Sequence, residues 1–318
     1  MDSLARARLR ERTRSGSPEA FRFDMLGGTA PPRLSRLSVG PWECMPLIPI
    51  ENLDDPRVDL YRSIKDAHLR SREGLFVVEG RENLRCMVES SAYQPLSVLV
   101  SPTAHDALQD LWEELDPETP IYHVPGALLR ELAGFDLHRG CLALGRRPSE
   151  EGTASLMAGL PASPQPSCVL VLENLGNHDN VGGIFRSARA LGADAILMCA
   201  RSCDPLYRKA IRVSMGASLC VPWARDLQWP GCLEALHQSG YATVALDPIG
   251  EPLGRRQALP ARVALILGSE GDGLSDGVRE AADLRASIPM AEGVDSLNVT
   301  VAAGVALHCW RDSLVGVE

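Results

Sequence analysis

No apolar run in this 318-residue chain reaches the roughly 18 residues that a membrane span needs. The longest candidate, Val299 to Trp310, is shorter and is interrupted by Gly304 and His308. The first residues are rich in arginine but lack the apolar core of a secretory signal. A soluble, cytoplasmic protein is therefore the expectation. The motif C-x-x-C is also missing, although there are nine cysteines, and Cys199 and Cys203 form the one close pair. Odd in number and scattered mostly through apolar stretches, these residues read as reduced thiols packed as small hydrophobes. No disulfide framework and no metal site is expected. Net positive charge is lacking too: at −9 the chain is not a strongly basic nucleic-acid binder. Local basic patches remain compatible with that sum, because salt screens exposed charges beyond about 10 Å at 0.1 M.

Hydrophobic residues make up 45% of the chain, enough for real cores, and the length allows two domains. Residues 1–45 read as a disordered extension. Arg6, Arg8, Arg10, Arg12 and Arg14 alternate with small or polar residues, Gly, Pro and Ser follow, and no hydrophobic period persists. An RNA-touching tail is one reading of this segment; translation that starts at Met45 is another. Residues 46–147 form a small α/β unit. LFVVEG (75–80), SVLVS (97–101), IYHV (121–124) and GCLALG (140–145) read as strands. ALQDLWEEL (107–115) and ALLRELAG (127–134) read as helices, the second closed by Gly134. Residues 148–167 are a linker rich in Pro, Ser, Gly and Ala. Residues 168–318 form a second α/β unit. Its strands are CVLVLENL (168–175), AILMC (195–199), ATVALD (242–247), VALILG (263–268) and RASIPM (285–290). A helix over 182–192 ends near Gly192, and an apolar closing helix starts at about Leu297.

Four stretches of this chain are candidates for chemistry. In NHDNVGGIFRSAR (177–189) a strand ends, the chain turns and a helix begins, the place where α/β proteins hold ligands. Gly182 and Gly183 would admit a backbone or a phosphate. Asn180 and Arg186 would face one opening, and a guanidinium suits forked phosphate contacts. The plainer reading is a capping Asn and a solvated Arg. ILGSEGDGLSDG (266–277) has glycines in the order G-x-x-G-x-G, not the G-x-G-x-x-G of a dinucleotide site, with Glu270 held among them. In IPMAEGVDSLNV (288–299), helix capping explains one polar residue more readily than Asp295, Ser296 and Asn298 together. Free amides beside apolar walls would also suit an adenosine. Finally, Arg208, Lys209 and Arg212 cluster on one turn or helix, a basic patch fit for a phosphate backbone or simply a solvated face.

In order along the chain, N-x-x-N-x-G-x-x-x-R (177–186), L-G-S-E-G-x-G (267–273) and I-P-M-x-x-x-x-x-S-L-N-V (288–299) resemble the SpoU/TrmH branch of the SPOUT RNA methyltransferases. FVVEG (76–80) and HRGCLALGRR (138–147) are similar to that family's small substrate-binding domain, and bring Arg139 in as a further RNA contact. The resemblance implies an α/β trefoil-knot domain, S-adenosylmethionine as cofactor, a homodimer, and methyl transfer to a ribose 2′-hydroxyl of ribosomal RNA or tRNA. Carried over by motif, Gly268, Ile288 and Leu297 would contact the cofactor. Ile288, Met290 and Leu297 would enclose its adenine, and Leu246 would stand nearby. Arg186 would be central, with Asn180, Ser296 and Asn298 orienting it and the substrate. Glu270 would anchor its loop or hold Arg186. The family gives its Arg a base-like role; since guanidinium stays protonated, gripping phosphate and steadying alkoxide charge is the more conservative assignment. A silent RNA-binding module for ribosome assembly, or a knotted methyltransferase acting on a base, are the competing functions.

Overall fold

The computed structural model describes residues 47–62, 74–90, 92–133, 140–148, 152–226, 229–254 and 258–315. The expected extension over 1–45, the proposed start at Met45 and the RNA-contact candidate Arg139 lie outside them.

Two sheets carry the chain. The first has strands β1 (Leu47–Pro49), β2 (Leu75–Glu79), β3 (Pro95–Val100), β4 (Ile121–His123) and β5 (Cys141–Arg146), in the order β1-β4-β3-β5-β2. The pairs β1/β4 and β3/β4 are parallel, whereas β5 runs antiparallel to β2 and β3. Helices α1 (Arg81–Glu89), α2 (Pro102–Asp106), α3 (Gln109–Trp112) and α4 (Gly126–Ala133) cover it. The single helix expected over 107–115 is instead the short α3, preceded by α2, which starts with Pro102 behind the capping Ser101. Leu108, Leu111 and Leu115 are nonetheless all buried, so apolar spacing located the buried side chains but not the backbone state.

The second sheet is wholly parallel. Its strands are β6 (Ser167–Leu172), β7 (Ala195–Cys199), β8 (Trp223–Asp226), β9 (Ala242–Pro252), β10 (Arg262–Leu267) and β11 (Leu284–Ser287), in the order β11-β9-β10-β6-β7-β8. These strands read as continuous apolar runs because both faces are covered. Alternate residues go to opposite sides: Leu170, Leu172, Leu265 and Leu267 pack on α6 (His178–Leu191) and α10 (Val299–Val315), while Val169, Val171, Ala264 and Ile266 meet α5 (Thr153–Ala158), α8 (Cys232–Gln238) and α9 (Asp276–Ala281). Helix α5 falls inside the stretch read as linker. Strand β11 stops at Ser287, short of the expected Met290, because Pro289 has no N–H to continue a ladder.

The chain leaves β6 toward β7 and β8, then returns on the other side of β6 through β9 and β10. The carboxyl ends of β6 and β10 therefore flank the switch point, where open α/β sheets bind ligands.

Of the expectation that Gly182 and Gly183 admit a backbone or a phosphate, only the backbone part holds, at Gly182. The helix begins at His178, with the Asn177 side chain accepting from the Asp179 N–H, so Gly182 and Gly183 lie inside it and not in a phosphate-admitting turn. A Cβ on Gly182 would stand 2.7 Å from the carbonyl oxygen of Ala210 on α7 (Arg208–Val213), and one on Gly183 2.6 Å from the Thr300 side chain on α10. Both glycines let helices approach. Gly182→Ala should therefore cost about 1–3 kcal/mol, as overpacking does. Denaturant titration reads this, and an unchanged midpoint would refute the close-packing role.

Helix α7 and Leu219 also reach the first sheet. Leu206, Ile211 and Leu219 share a core cluster with Phe76, Val78, Leu84 and Val98. Trp223 Nε1 donates to the Tyr93 hydroxyl at 3.1 Å, and Arg147 pairs with buried Asp204 at 2.9 Å.

Candidate functional site

Two cavities meet beyond the carboxyl ends of β6 and β10. One, of about 400 Å³, is walled by Leu246, Gly268, Ile288, Met290 and Leu297, all five residues expected at the cofactor. The other, of about 460 Å³, is polar and lined by Asn174, Asn177, Asn180, Arg201, Ser269 and Glu270. Ser269, Glu270 and Asp272 face both, so the glycine loop is their common wall.

Local chemistry shapes that loop. Gly268 packs where a Cβ would stand 2.3–2.5 Å from backbone atoms of Gly273 and Leu274, so only glycine lets the loop fold back. Gly271 and Gly273 have φ of 106° and 68°, which L side chains rarely adopt. Below the loop lies Glu173, which is 1% exposed. Its carboxylate accepts from Trp229 Nε1 at 2.7 Å, Ser275 Oγ at 2.7 Å and the Ser275 N–H at 2.8 Å. A buried carboxylate needs such donors, and here they fix where the loop re-enters α9. Asp247 and Arg279 close another side of the apolar cavity, joined at 2.8 Å. Burial alone would raise the Asp247 carboxyl, but the Ile249 N–H and the Arg279 guanidinium outweigh it and hold it below its ordinary range. None of Glu173, Asp247 and Arg279 was singled out from sequence. The available signal was a charged residue closing each of two apolar strands, 173 and 247.

The junction between the cavities is a hydrogen-bonded triad. Asn298 Nδ2 donates to Glu270 Oε1 at 2.8 Å and to Asn180 Oδ1 at 3.0 Å. Asn298 Oδ1 accepts from the Thr300 N–H at 2.9 Å, and Thr300 Oγ1 donates to the Asn180 carbonyl at 3.3 Å. Asn298 thus caps α10, which starts at Val299, and at the same time ties three distant segments together. Ser296 lines the apolar cavity and is exposed. Asn298→Asp should keep the cap, since a carboxylate serves there as well, but lose both side-chain donations and face Glu270 with like charge. We expect little change in melting temperature and a loss of methyl transfer of at least tenfold; equal losses in both would mean that Asn298 only caps.

Arg186 does not join this group. It is exposed on α6, lines neither cavity and makes no ion pair with Glu270. Six residues at about 100° each place Arg186 about 120° around the helix from Asn180, so the two do not share one opening as expected. Glu270 anchors the triad and does not hold Arg186. Of the basic patch, Lys209 pairs with Asp179 at 2.7 Å, and Arg212 lies 4.0 Å from buried Glu79; both cations are about half exposed. Such exposed pairs are weak and leave these charges available to a polyanion. Arg208 is more enclosed. Among the described residues there is no cluster of three His, Cys, Asp or Glu placed to hold a metal, and no helix long and apolar enough to cross a membrane.

Residues 167–308 match the profile of the SpoU rRNA Methylase family. An uncharacterized tRNA/rRNA methyltransferase of Mycobacterium bovis is 36% identical over 263 residues, covering 80% of this chain and 88% of its own length. A crystal structure described as an RNA 2′-O ribose methyltransferase is 27% identical, covers 84% of this chain and all of its own, and superposes with a TM-score of 0.68. The SpoU methyltransferase AviRb from Streptomyces viridochromogenes, solved with the cofactor AdoMet, has the same fold at 23% identity and a TM-score of 0.70, over 83% of this chain and all of its own.

Proposed function

This chain belongs to the SpoU rRNA methylase family and methylates RNA with S-adenosylmethionine, and on that premise we propose that its acceptor is a ribose 2′-hydroxyl. The observation that carries the reading is the Asn180–Asn298–Glu270 junction, where an apolar cavity opens on a polar cleft. The 27% identical structure described as a 2′-O ribose methyltransferase supports the same choice.

The cavity fits the cofactor. Ile288, Met290 and Leu297 supply apolar walls for an adenine, and Leu246 stands beside them. The loop at Gly268, closed by backbone atoms, offers amides and carbonyls at close range. When bound, the sulfonium provides an activated methyl group. The chain's own contribution is then position and charge. Asn180 lines the polar cleft, and the Asn298 side chain behind it fixes its carboxamide there. Ser296 offers a hydroxyl at the cavity mouth. Arg186, exposed on α6 outside both cavities, grips a phosphate of the incoming RNA, with Lys209, Arg212 and Arg208 as further backbone contacts. We take residues 46–147 as the substrate-binding domain and 168–318 as the knotted methyltransferase domain; within the stretch read as linker between them, α5 packs against the second sheet. The unit works as a cytoplasmic homodimer. In support of a dimer, Val294, Leu297 and Val301 are 48%, 38% and 51% exposed around the cavity mouth and the adjoining face of α10, an apolar area that a second copy would cover.

The test is transfer of labelled methyl from S-adenosylmethionine to total RNA, followed by digestion to nucleosides. Label on the ribose supports the reading and label on a base rejects it. Absence of both cofactor binding and transfer to RNA from a strain lacking the gene would favour a silent RNA-binding module.

A further inference from the structure

A third cavity, of about 370 Å³, lies on the other side of the first turn of α6, outside the site just described. The first sheet contributes Leu75 and Phe76, with Arg147 just past β5; His178, Cys203, Asp204, Leu206, Tyr207 and Arg225 close it from the second half. Its contents are not those of a packing defect. The His178 and Tyr207 rings stand 4.1 Å apart, centroid to centroid, at 34°. Cys203 Sγ lies 3.6 Å from His178 Nδ1. The lining holds two guanidiniums and one carboxylate: Arg147 is matched by Asp204 at 2.9 Å, whereas among the described residues Arg225 has a single long contact, 3.5 Å, to the Cys203 carbonyl. Arg225 Nε is buried with no hydrogen-bond partner among the described residues. An aromatic wall, an apolar floor and one unmatched guanidinium together suit a nucleobase joined to a phosphate. Burial holds the His178 imidazole below its ordinary pKa, which favours the uncharged ring.

Position says which nucleotide. Asn177 lines the polar cleft and His178, the next residue, lines this cavity. Consecutive Cα atoms are about 3.8 Å apart, so a strand with one nucleotide in the cleft has a neighbour within reach of the cavity. We propose that the cavity bounded by His178, Tyr207, Arg147 and Arg225 takes the base and phosphate of an RNA nucleotide flanking the methylated one. This rests on the reading of the polar cleft as the acceptor side.

The test uses the full-length chain with S-adenosylhomocysteine filling the cofactor cavity, titrated with each of the four nucleoside 5′-monophosphates and, separately, with total RNA from a strain lacking the gene. Tyr207→Ala and Arg225→Gln should weaken both kinds of binding by about tenfold, the scale of one lost stacking platform. Tyr207→Phe, which keeps the ring, should bind as wild type does. In turnover, the first two variants should raise KM for RNA while kcat and the Kd for S-adenosylmethionine stay within twofold. Tyr207 stands at the start of α7, and Arg225→Gln, on a different element, guards against a result caused by misfolding. RNA binding and KM unmoved in both variants would overturn the proposal. Mononucleotide binding lost with RNA binding intact would assign the cavity to a free nucleotide and overturn it equally. If wild type transfers no methyl to any RNA, the function proposed above fails; the RNA-binding comparison between wild type and Arg225→Gln still decides this cavity.

Discussion

Arg186→Ala is expected to lower methyl transfer at limiting RNA by about 10–100-fold, the loss of one charge-assisted phosphate contact of about 1.5–3 kcal/mol. The Kd for S-adenosylmethionine should not move, because Arg186 lines no part of the apolar cavity. Nor should stability: the side chain is exposed and makes no ion pair with a described residue, and surface changes of that kind stay within about 0.5 kcal/mol. Arg186→Lys separates two roles. A point charge keeps long-range attraction to RNA but cannot make the planar fork, so near-complete recovery would reduce Arg186 to a phosphate attractor. Single-turnover transfer with RNA below its Kd is the measurement. Full activity in Arg186→Ala would remove the residue from the reaction.

The second large effect is expected at Gly268. A methyl group there would stand 2.3 Å from the Gly273 carbonyl carbon and 2.5 Å from both Gly273 O and Leu274 N. All three are backbone atoms, so no rotamer change relieves the clash; the loop itself has to move. Overpacking of this order costs about 1–3 kcal/mol, and a loop displaced from the cavity transfers that cost to cofactor affinity. Gly268→Ala should therefore raise the Kd for S-adenosylmethionine by about tenfold or more. Calorimetric titration reads it directly. Unaltered affinity would mean that the loop adapts, and that the cofactor does not lean on it. Gly271 offers a contrast: a Cβ there meets nothing, so Gly271→Ala strains only the local turn.

Much of this site was legible in the sequence because its signals are local. The glycine spacing at 268–273, the apolar residues at 288, 290 and 297, and the amides at 180 and 298 each lie at the end of a strand or the start of a helix. Linear order is enough to find such places. What stayed hidden depended on rotation or on distant partners. Arg186 was placed with Asn180 by sequence proximity, whereas helical pitch turns it away. Gly182 and Gly183 looked like loop glycines, since nothing local announces that Ala210 and Thr300 press against them. Strand β8, WARD (223–226), is too short and mixed for a strand signal, yet it pairs with β7 at the sheet edge and delivers Arg225 to the third cavity. Glu173 shows the same limit, because its three donors come from positions 229 and 275.

The loop shared by the two cavities at the switch point has a thermodynamic consequence. Ser269, Glu270 and Asp272 cannot be shifted on one side without moving the wall of the other. Occupancy on one side then biases occupancy on the other. Linkage requires this bias to be reciprocal: if bound S-adenosylmethionine changes RNA affinity by some factor, bound RNA changes cofactor affinity by that same factor. Demethylated product, held in the same cavity without the sulfonium charge, need not carry the same factor. The difference between the two factors, acting through one short loop, would set how much more loosely the two products hold each other than the two substrates do.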